Sequence, residues 1–268
     1  MIISAPNGAR RTTADHPALP VTPDQIADTA TELLDQQVSV VHLHVRDENQ
    51  KHTLDADSYR AAISAIRSRV GDRLIIQVTT EAVGQYNAAQ QMALVKALRP
   101  EAVSLSLTEL CPDDTAEASA AKFFQWLVQE KIWPQFILHS PRELLRFDEM
   151  RKKGVFGQDH PCCLFVLGRY ADDTAGKTSD LDAFLATVDC TVLPWAVCCF
   201  GRNENEVMVA ATGFGGQVRI GFENNLRMAD GRTAKNNAEL IAQYTASCKD
   251  SARKPASADE IRNAFGLN

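Results

Sequence analysis

The sequence predicts a (β/α)8 barrel, read as a single catalytic domain over residues 1–268. About eight short apolar runs alternate with about eight helix patterns, over a length typical of a barrel. The open doubly wound sheet would want a Gly-rich phosphate turn after its first strand, and Asn7-Gly8-Ala9 is not one. The residues best suited to chemistry, His42, His44 and Glu223, fall at the ends of the second and last strand patterns, where barrels carry their sites. No linker, charge block, low-complexity segment or solenoid-length repeat interrupts the alternation.

The elements follow in order. Ile2 to Ala5 opens as a strand, and a loop through Pro6-Asn7-Gly8-Ala9-Arg10-Arg11 runs to Pro20. Thr22-Pro23-Asp24-Gln25 is a capping box with proline in the first turn, and Ile26, Ala30, Leu33 and Leu34 form the apolar face of its helix. Val40 to Val45 alternates as a strand, with His42, His44 and Arg46 on one face. Asp55 or Asp57 caps a helix that Gly71 stops, and Leu74 to Thr79 is the next strand. A helix from about Asn87 to Leu98 ends before Pro100, Ala102 to Leu107 is a strand, and Thr115 to about Lys131 is a helix. Gln135 to His139 is a strand, followed by the capping box Ser140-Pro141-Arg142-Glu143 and a helix ending at Gly154. Cys162 to Leu167, Thr191 to Cys199 and Gln217 to Phe222 are the remaining strands. Helices start near Ser179, Asn203, Asn236 and Ser257, and Pro194 belongs at a bulge or near its strand's start.

Bulk properties exclude several classes. A net charge of −6 gives no footprint for nucleic acid or an anionic membrane, and no apolar run approaches transmembrane length. The N-terminus lacks the pattern of a signal peptide, so the expected location is cytoplasmic. Seven cysteines sit mostly in apolar runs without CxxC spacing, as buried free thiols do in a reducing compartment.

In a closed barrel the last and second strands both flank the first. Glu223 can then reach the point toward which His42 and His44 converge, and two histidines with one carboxylate make an open catalytic metal set. The plainer alternative is two hydrogen-bonded histidines and a surface carboxylate. Gly221 would leave room for a ligand or metal. Arg219, at mid-strand, needs a partner: Asp47, Glu223 or a substrate carboxylate. Thr79, Thr80, Ser106 and Thr108 supply hydroxyls near the third and fourth strand ends, and His139 follows the fifth. His52 and His160 read as surface or loop residues. Arg46-Asp47 carries charge out of the second strand.

These residues together resemble the β-keto acid cleavage enzyme family. The resemblance runs over nearly the whole chain and rests on Leu19-Pro20-Val21-Thr22-Pro23, His42-Leu43-His44-Val45-Arg46-Asp47, Arg99-Pro100-Glu101 and Val218-Arg219-Ile220-Gly221-Phe222-Glu223-Asn224-Asn225. It implies a homo-oligomeric, zinc-dependent barrel, dimer or tetramer, that uses acetyl-CoA and a β-keto acid to give acetoacetate and a new acyl-CoA. His42, His44 and Glu223 match the family's zinc ligands, Arg219 its active-site arginine and Thr79 its serine after the third strand. Its fourth-strand hydroxyl falls on Ser106 or Thr108. Asn7 and Arg10 of the first loop are expected at the substrate, and Arg169 and Arg202 are placed by position for the CoA phosphates.

Three departures bear on substrate and mechanism. Arg10 stands where the family has Glu, Asn224 where it has Asp, and Ile137 where it has a fifth-strand Glu. Asn224 can orient a partner by hydrogen bonds but cannot exchange a proton at neutral pH. Arg10, with Arg11 beside it, points to a neutral or anionic substrate tail. A metal-dependent hydrolase or aldolase, or a non-catalytic binding barrel, are the rival readings.

Overall fold

Eight parallel strands close into a barrel in the order β1-β10-β9-β8-β7-β6-β5-β2. The computed structural model describes residues 1–169 and 174–267. The barrel strands are β1 (Ile2–Ser4), β2 (Val40–Leu43), β5 (Ile75–Thr79), β6 (Ala102–Ser106), β7 (Trp133–Leu138), β8 (Cys162–Leu167), β9 (Trp195–Cys199) and β10 (Gln217–Ile220). A two-stranded ribbon, β3 (Val45–Arg46) and β4 (His52–Thr53), stands beside them. The helices are α1 (Pro23–Asp35), α2 (Ala56–Val70), α3 (Ala88–Leu98), α4 (Leu107–Leu110), α5 (Asp114–Gln129), α6 (Pro141–Lys152), α7 (Thr178–Leu185), α8 (Glu204–Gly213), α9 (Asn237–Ser247) and α10 (Ala258–Phe265). The capping boxes read from the sequence at Thr22 and Ser140 both bond the third residue of their helices.

The barrel interior is layered. Ile3, Val40, Ile75, Ala102, Trp133 and Ala196 form an apolar lower cluster, closed from below by α10, whose Phe265 stacks on Trp133 at 4.5 Å. Toward the C-terminal ends the buried inward positions turn polar, with His42, Gln77, Ser104, Gln135 and Arg219. Outward-facing residues such as Val41, Val103, Phe136, Phe165 and Val197 meet the apolar faces of the helices. The alternation of period two therefore serves two cores, one inside the barrel and one between barrel and helices.

The structure corrects several boundaries. The second strand breaks at His44, and its continuation pairs instead with His52–Thr53. Pro194 lies just before β9, behind a 3-10 turn at Cys190–Val192, where its carbonyl still accepts from Cys163 N at 3.0 Å although it has no N–H to give. The fourth barrel strand stops at Ser106, and Leu107 to Leu110 coil into α4.

Candidate active site

Three backbone devices bring the site together. After β10 the chain folds over the end of β1: Ala5 N donates to Ile220 O at 2.9 Å and Glu223 N to Ala5 O at 3.1 Å. Gly221 permits this crossing, since a Cβ there would lie 2.3 Å from Ala5 O. Its role is close backbone packing, which corrects the expectation that it makes room for a ligand. Gly8 takes φ +59 and faces the Glu223 side chain, so a Cβ would sit 2.5 Å from Cγ. The third device is Arg46. Its guanidinium donates to the carbonyls of Asn7, Gly8, Ala9, Arg11 and Gln50, so it shapes the first loop and does not enter the site. Asp47 likewise caps a turn, accepting from Asn49 N and Lys51 N.

Among the described residues, His42, His44 and Glu223 form one group whose ligand atoms all lie within 4.8 Å of one another. The two Nε2 atoms are 3.1 Å apart, and Glu223 Oε2 is 3.6 Å from the first and 3.4 Å from the second. These separations match atoms placed about 2.1 Å from one tetrahedral ion. His42 Nδ1 donates to Gln77 Oε1 at 2.8 Å, which turns the Nε2 lone pair toward His44 and Glu223. Gln77 is held in turn by Gln135 at 3.3 Å. Buried Glu223 Oε2 has no hydrogen-bond partner, as expected of a metal-ligating oxygen.

The electrostatics agree. Burial, with Arg219 adding to it, lowers His42 to about 4, and burial lowers His44 to about 3, so both imidazoles are neutral at pH 7. That is their metal-binding form, and it means their contacts with Glu223 are not ion pairs. Burial opposes ionisation of Glu223, but the Arg219 guanidinium, joined by the two histidines once they protonate in acid, outweighs it and holds the carboxyl well below the usual range. Arg219 Nη2 donates to Glu223 Oε1 at 3.1 Å, to Asn224 Oδ1 at 3.4 Å and to Cys198 Sγ at 3.4 Å. Of the partners considered for Arg219, Glu223 is therefore present and Asp47 is not. All three contacts use one terminal nitrogen, leaving Nη1 for a ligand.

A hollow of about 220 Å³ opens over this group, lined in part by Arg10, His42, Thr79, Ser106, Arg219 and Glu223. Thr79 Oγ1 accepts from Glu81 N at 3.1 Å, so its hydroxyl hydrogen remains for another acceptor. Ser104, Ile137 and His139 also line the hollow; Thr108 sits on α4 and bonds Ser106 Oγ at 3.2 Å without lining it. Asn7 is not on the wall. It is fully buried and donates to Pro20 O and His44 O, both at 3.0 Å, which fixes the loop behind the metal group. His52 is buried rather than superficial, its ring 5.2 Å from that of His44 and its Nε2 2.9 Å from Glu81 O.

Three carboxylates escaped the sequence reading as site residues: Glu109, which lines the hollow from α4, and the two that follow. Glu81, on the loop after β5, lines the hollow with Oε2 3.9 Å from His44 Nδ1, and burial together with Glu223 raises it to about 7. Glu204, in the first turn of α8, is 2% exposed, and burial raises it to about 8 against the pull of its hydrogen bonds. Glu81 sits among turn residues and Glu204 inside a helix start, so neither local pattern distinguishes them from solvated acids. Beside the first hollow, and sharing Phe200 with it, lies a second of about 570 Å³. Arg11, Arg169, Arg202 and Arg227 line it, with Asn224 and Asn225 at its floor. Arg11 donates to the carbonyls of Phe222 and Glu223, so it also clamps the turn that carries Glu223.

Comparison with known proteins gives a consistent family. Residues 1–267 match the beta-keto acid cleavage enzyme family. The chain is 29% identical over 272 residues to the 3-keto-5-aminohexanoate cleavage enzyme of Fusobacterium nucleatum, covering 100% of this chain and 97% of that protein. It is 24% identical over 261 residues to the 3-oxoadipate:acetyl-CoA acetyltransferase of Cupriavidus necator, covering 94% and 89%. Among solved structures, the binary complex of ObcA with oxaloacetate superposes with a TM-score of 0.73 at 16% identity. That match covers 93% of this chain and about two thirds (67%) of the longer ObcA chain, and it supports the barrel fold alone.

Proposed function

This chain belongs to the β-keto acid cleavage enzyme family, and from that premise we propose that it cleaves a β-keto acid with acetyl-CoA, giving acetoacetate and a new acyl-CoA. The acyl group on the ketone side passes to the CoA sulfur. The remaining methylene carboxylate takes the acetyl group, so the bond between ketone carbon and methylene carbon breaks and a new one forms in acetoacetate. The observation that carries the reading is the His42, His44 and Glu223 group, whose His42 and Glu223 line one hollow with Arg219 at the C-terminal ends of the strands.

The two neutral imidazoles and one carboxylate suit zinc with an open position. When bound, such an ion supplies a Lewis acid for the ketone oxygen and the enolate that C–C cleavage releases. The protein's own groups do the rest. Arg219 Nη1 holds the substrate carboxylate, and Nη2 keeps Glu223 in place. Thr79 and Ser106 donate hydroxyl hydrogens to substrate oxygens. Asn224, fully buried, orients Arg219 through Oδ1 and moves no proton. Arg202 and Arg169 hold CoA phosphates in the second hollow, from which the thioester reaches the first past Phe200.

Arg10 meets the substrate tail and selects a neutral or anionic one. We place the enzyme in the cytoplasm as a homo-oligomer of one catalytic domain per chain. Its seven unpaired cysteines suit a reducing compartment, and no helix among the described residues is long and apolar enough to cross a membrane.

The test is incubation of metal-loaded protein with a panel of β-keto acids of differing tail charge, with and without acetyl-CoA. Acetoacetate formed only with acetyl-CoA is the expected result. Turnover without acetyl-CoA would replace the reading with hydrolysis or aldol cleavage, and binding without turnover would reduce it to a binding barrel.

A further inference from the structure

Behind Arg219 and the metal group lies a buried carboxylate with no role in the proposed reaction. Glu204 Oε1 accepts from Gly221 N at 3.3 Å and from Asn224 Nδ2 at 3.5 Å, and Oε2 accepts from Asn225 Nδ2 at 3.2 Å. Each of these partners is an N–H donor, and none of them is a cation. All three belong to the turn that carries Glu223.

The Asn224 amide has two unlike ends in two unlike places. Oδ1 accepts from the Arg219 guanidinium at 3.4 Å, while Nδ2 donates to Arg219 O at 3.1 Å and to Glu204 Oε1. Turned over, the amide would set its NH2 against a guanidinium that has only donors, and its oxygen against a carboxylate and a carbonyl that only accept. Both ends of the amide would then lose these partners inside a buried site, and Arg219 Nη2, Arg219 O and Glu204 Oε1 would each lose one bond. The acceptor at Glu204 therefore helps to decide which end faces Arg219. It also decides what residue can stand at 224. An aspartate there would bring a second carboxylate to within about the same 3.5 Å of Glu204, where two buried acids do not both ionise.

We propose that Glu204 is a positioning residue for the site. It holds the Asn224 amide in the orientation that presents Oδ1 to Arg219, and the Glu204–Asn224 pair fills as a unit the place beside Arg219 that an aspartate at 224 would fill alone. The departure from the family at 224 then has a cause within this chain: the acid lies one hydrogen bond farther from the guanidinium. The effect on turnover rests on the proposed cleavage reaction; the pairing of the two positions does not.

The experiment is a cycle of four full-length, metal-loaded proteins: wild type, Glu204→Gln, Asn224→Asp and the double variant. Thermal midpoint, bound metal, kcat and both KM values are measured for each. Glu204→Gln should lower kcat by about 10–100-fold, the usual range for a residue that supports a metal site, with little change in KM for acetyl-CoA. Asn224→Asp should lower the thermal midpoint. The double variant, with the acid and amide exchanged, should recover both, a result that a purely space-filling Glu204 would not produce. Wild-type kcat in Glu204→Gln, or a double variant no better than the worse single one, would overturn the proposal. If Glu204→Gln alone fails to fold, recovery in the double variant still decides the question. If no β-keto acid is turned over even by wild type, the cleavage reading fails by itself, and the four midpoints still test the pairing.

Discussion

Replacing Arg219 by Met keeps an apolar stem and removes the charge. In wild type the guanidinium is 3% exposed and bonds Glu223 Oε1 at 3.1 Å. Without it, a buried carboxylate held well below its usual range loses the strongest of the neighbours that hold it there. Breaking a buried pair costs about 3–5 kcal/mol. At about 2–4 °C per kcal/mol for a chain of this size, the metal-free variant should melt about 6–20 °C lower. A bound divalent ion gives Glu223 another positive neighbour, so the metal-loaded variant should lose much less. Turnover should fall in both KM and kcat terms, since a hydrogen bond between charged groups contributes about 1.5–3 kcal/mol, or about 10–150-fold in kcat/KM. Calorimetry on chelator-stripped and reloaded protein reads the first effect, and steady-state kinetics the second. A metal-free variant melting within about 2 °C of wild type would show that Glu223 does not depend on Arg219. An equal loss with and without metal would remove the ion from Glu223.

His44→Ala should lower both metal content and activity, and full metal occupancy in that variant, by elemental analysis, would sink the ligand assignment. Gln77→Leu removes the acceptor that orients His42 and should weaken metal binding by about 10–100-fold in a chelator competition; unchanged affinity would refute that role. In metal-free protein the folded values of His42, about 4, and His44, about 3, lie below the unfolded 6.5. The unfolded chain thus binds protons first, and the stability these groups contribute is full above pH 6.5 and lost as pH falls through 4 and then 3, with a slope of up to about 1.4 kcal/mol per pH unit each. Imidazole signals from either residue titrating near 6.5 in an NMR series would contradict this. Arg202→Glu should raise KM for acetyl-CoA and leave KM for the β-keto acid unchanged; equal shifts in both would move the CoA phosphates elsewhere.

The barrel was legible because its signals are local and repeated: apolar alternation, capping boxes at Thr22 and Ser140, and glycine and proline stops. Closure followed from counting elements, and closure alone brought Glu223 over β1 to His42 and His44. The sequence could not show the fate of polar groups whose partners are distant along the chain. Arg46 and Asn7 have the residue types of a binding site, yet they hold backbone carbonyls of the first loop. Gln77 and Ser104 look like ordinary strand positions until the barrel turns them inward beside His42 and Thr79.

Substrate charge shows the same limit most clearly. In the sequence, Arg10 and Ile137 stand where the family resemblance implies two acids, so a cationic tail is expected to meet like charge. In the folded protein Glu81 and Glu109 line the same hollow as Arg10. Glu109 is committed to its surroundings, accepting from Gln91 Nε2 at 2.6 Å and Ala82 N at 3.2 Å. Glu81 is raised to about 7 by burial first and then by Glu223, with Arg10 acting in the opposite direction. Near neutrality its charge is therefore close to balanced between two states. The proposed preference for an anionic or neutral tail therefore rests on Arg10 and Glu81 together. The margin is set by how fully Glu81 is ionised rather than by Arg10 alone. A bound ion at Glu223 would favour ionised Glu81. On the proposed reading, tail preference and metal occupancy would be linked through that one carboxylate, and each substrate comparison is to be made at a fixed metal content.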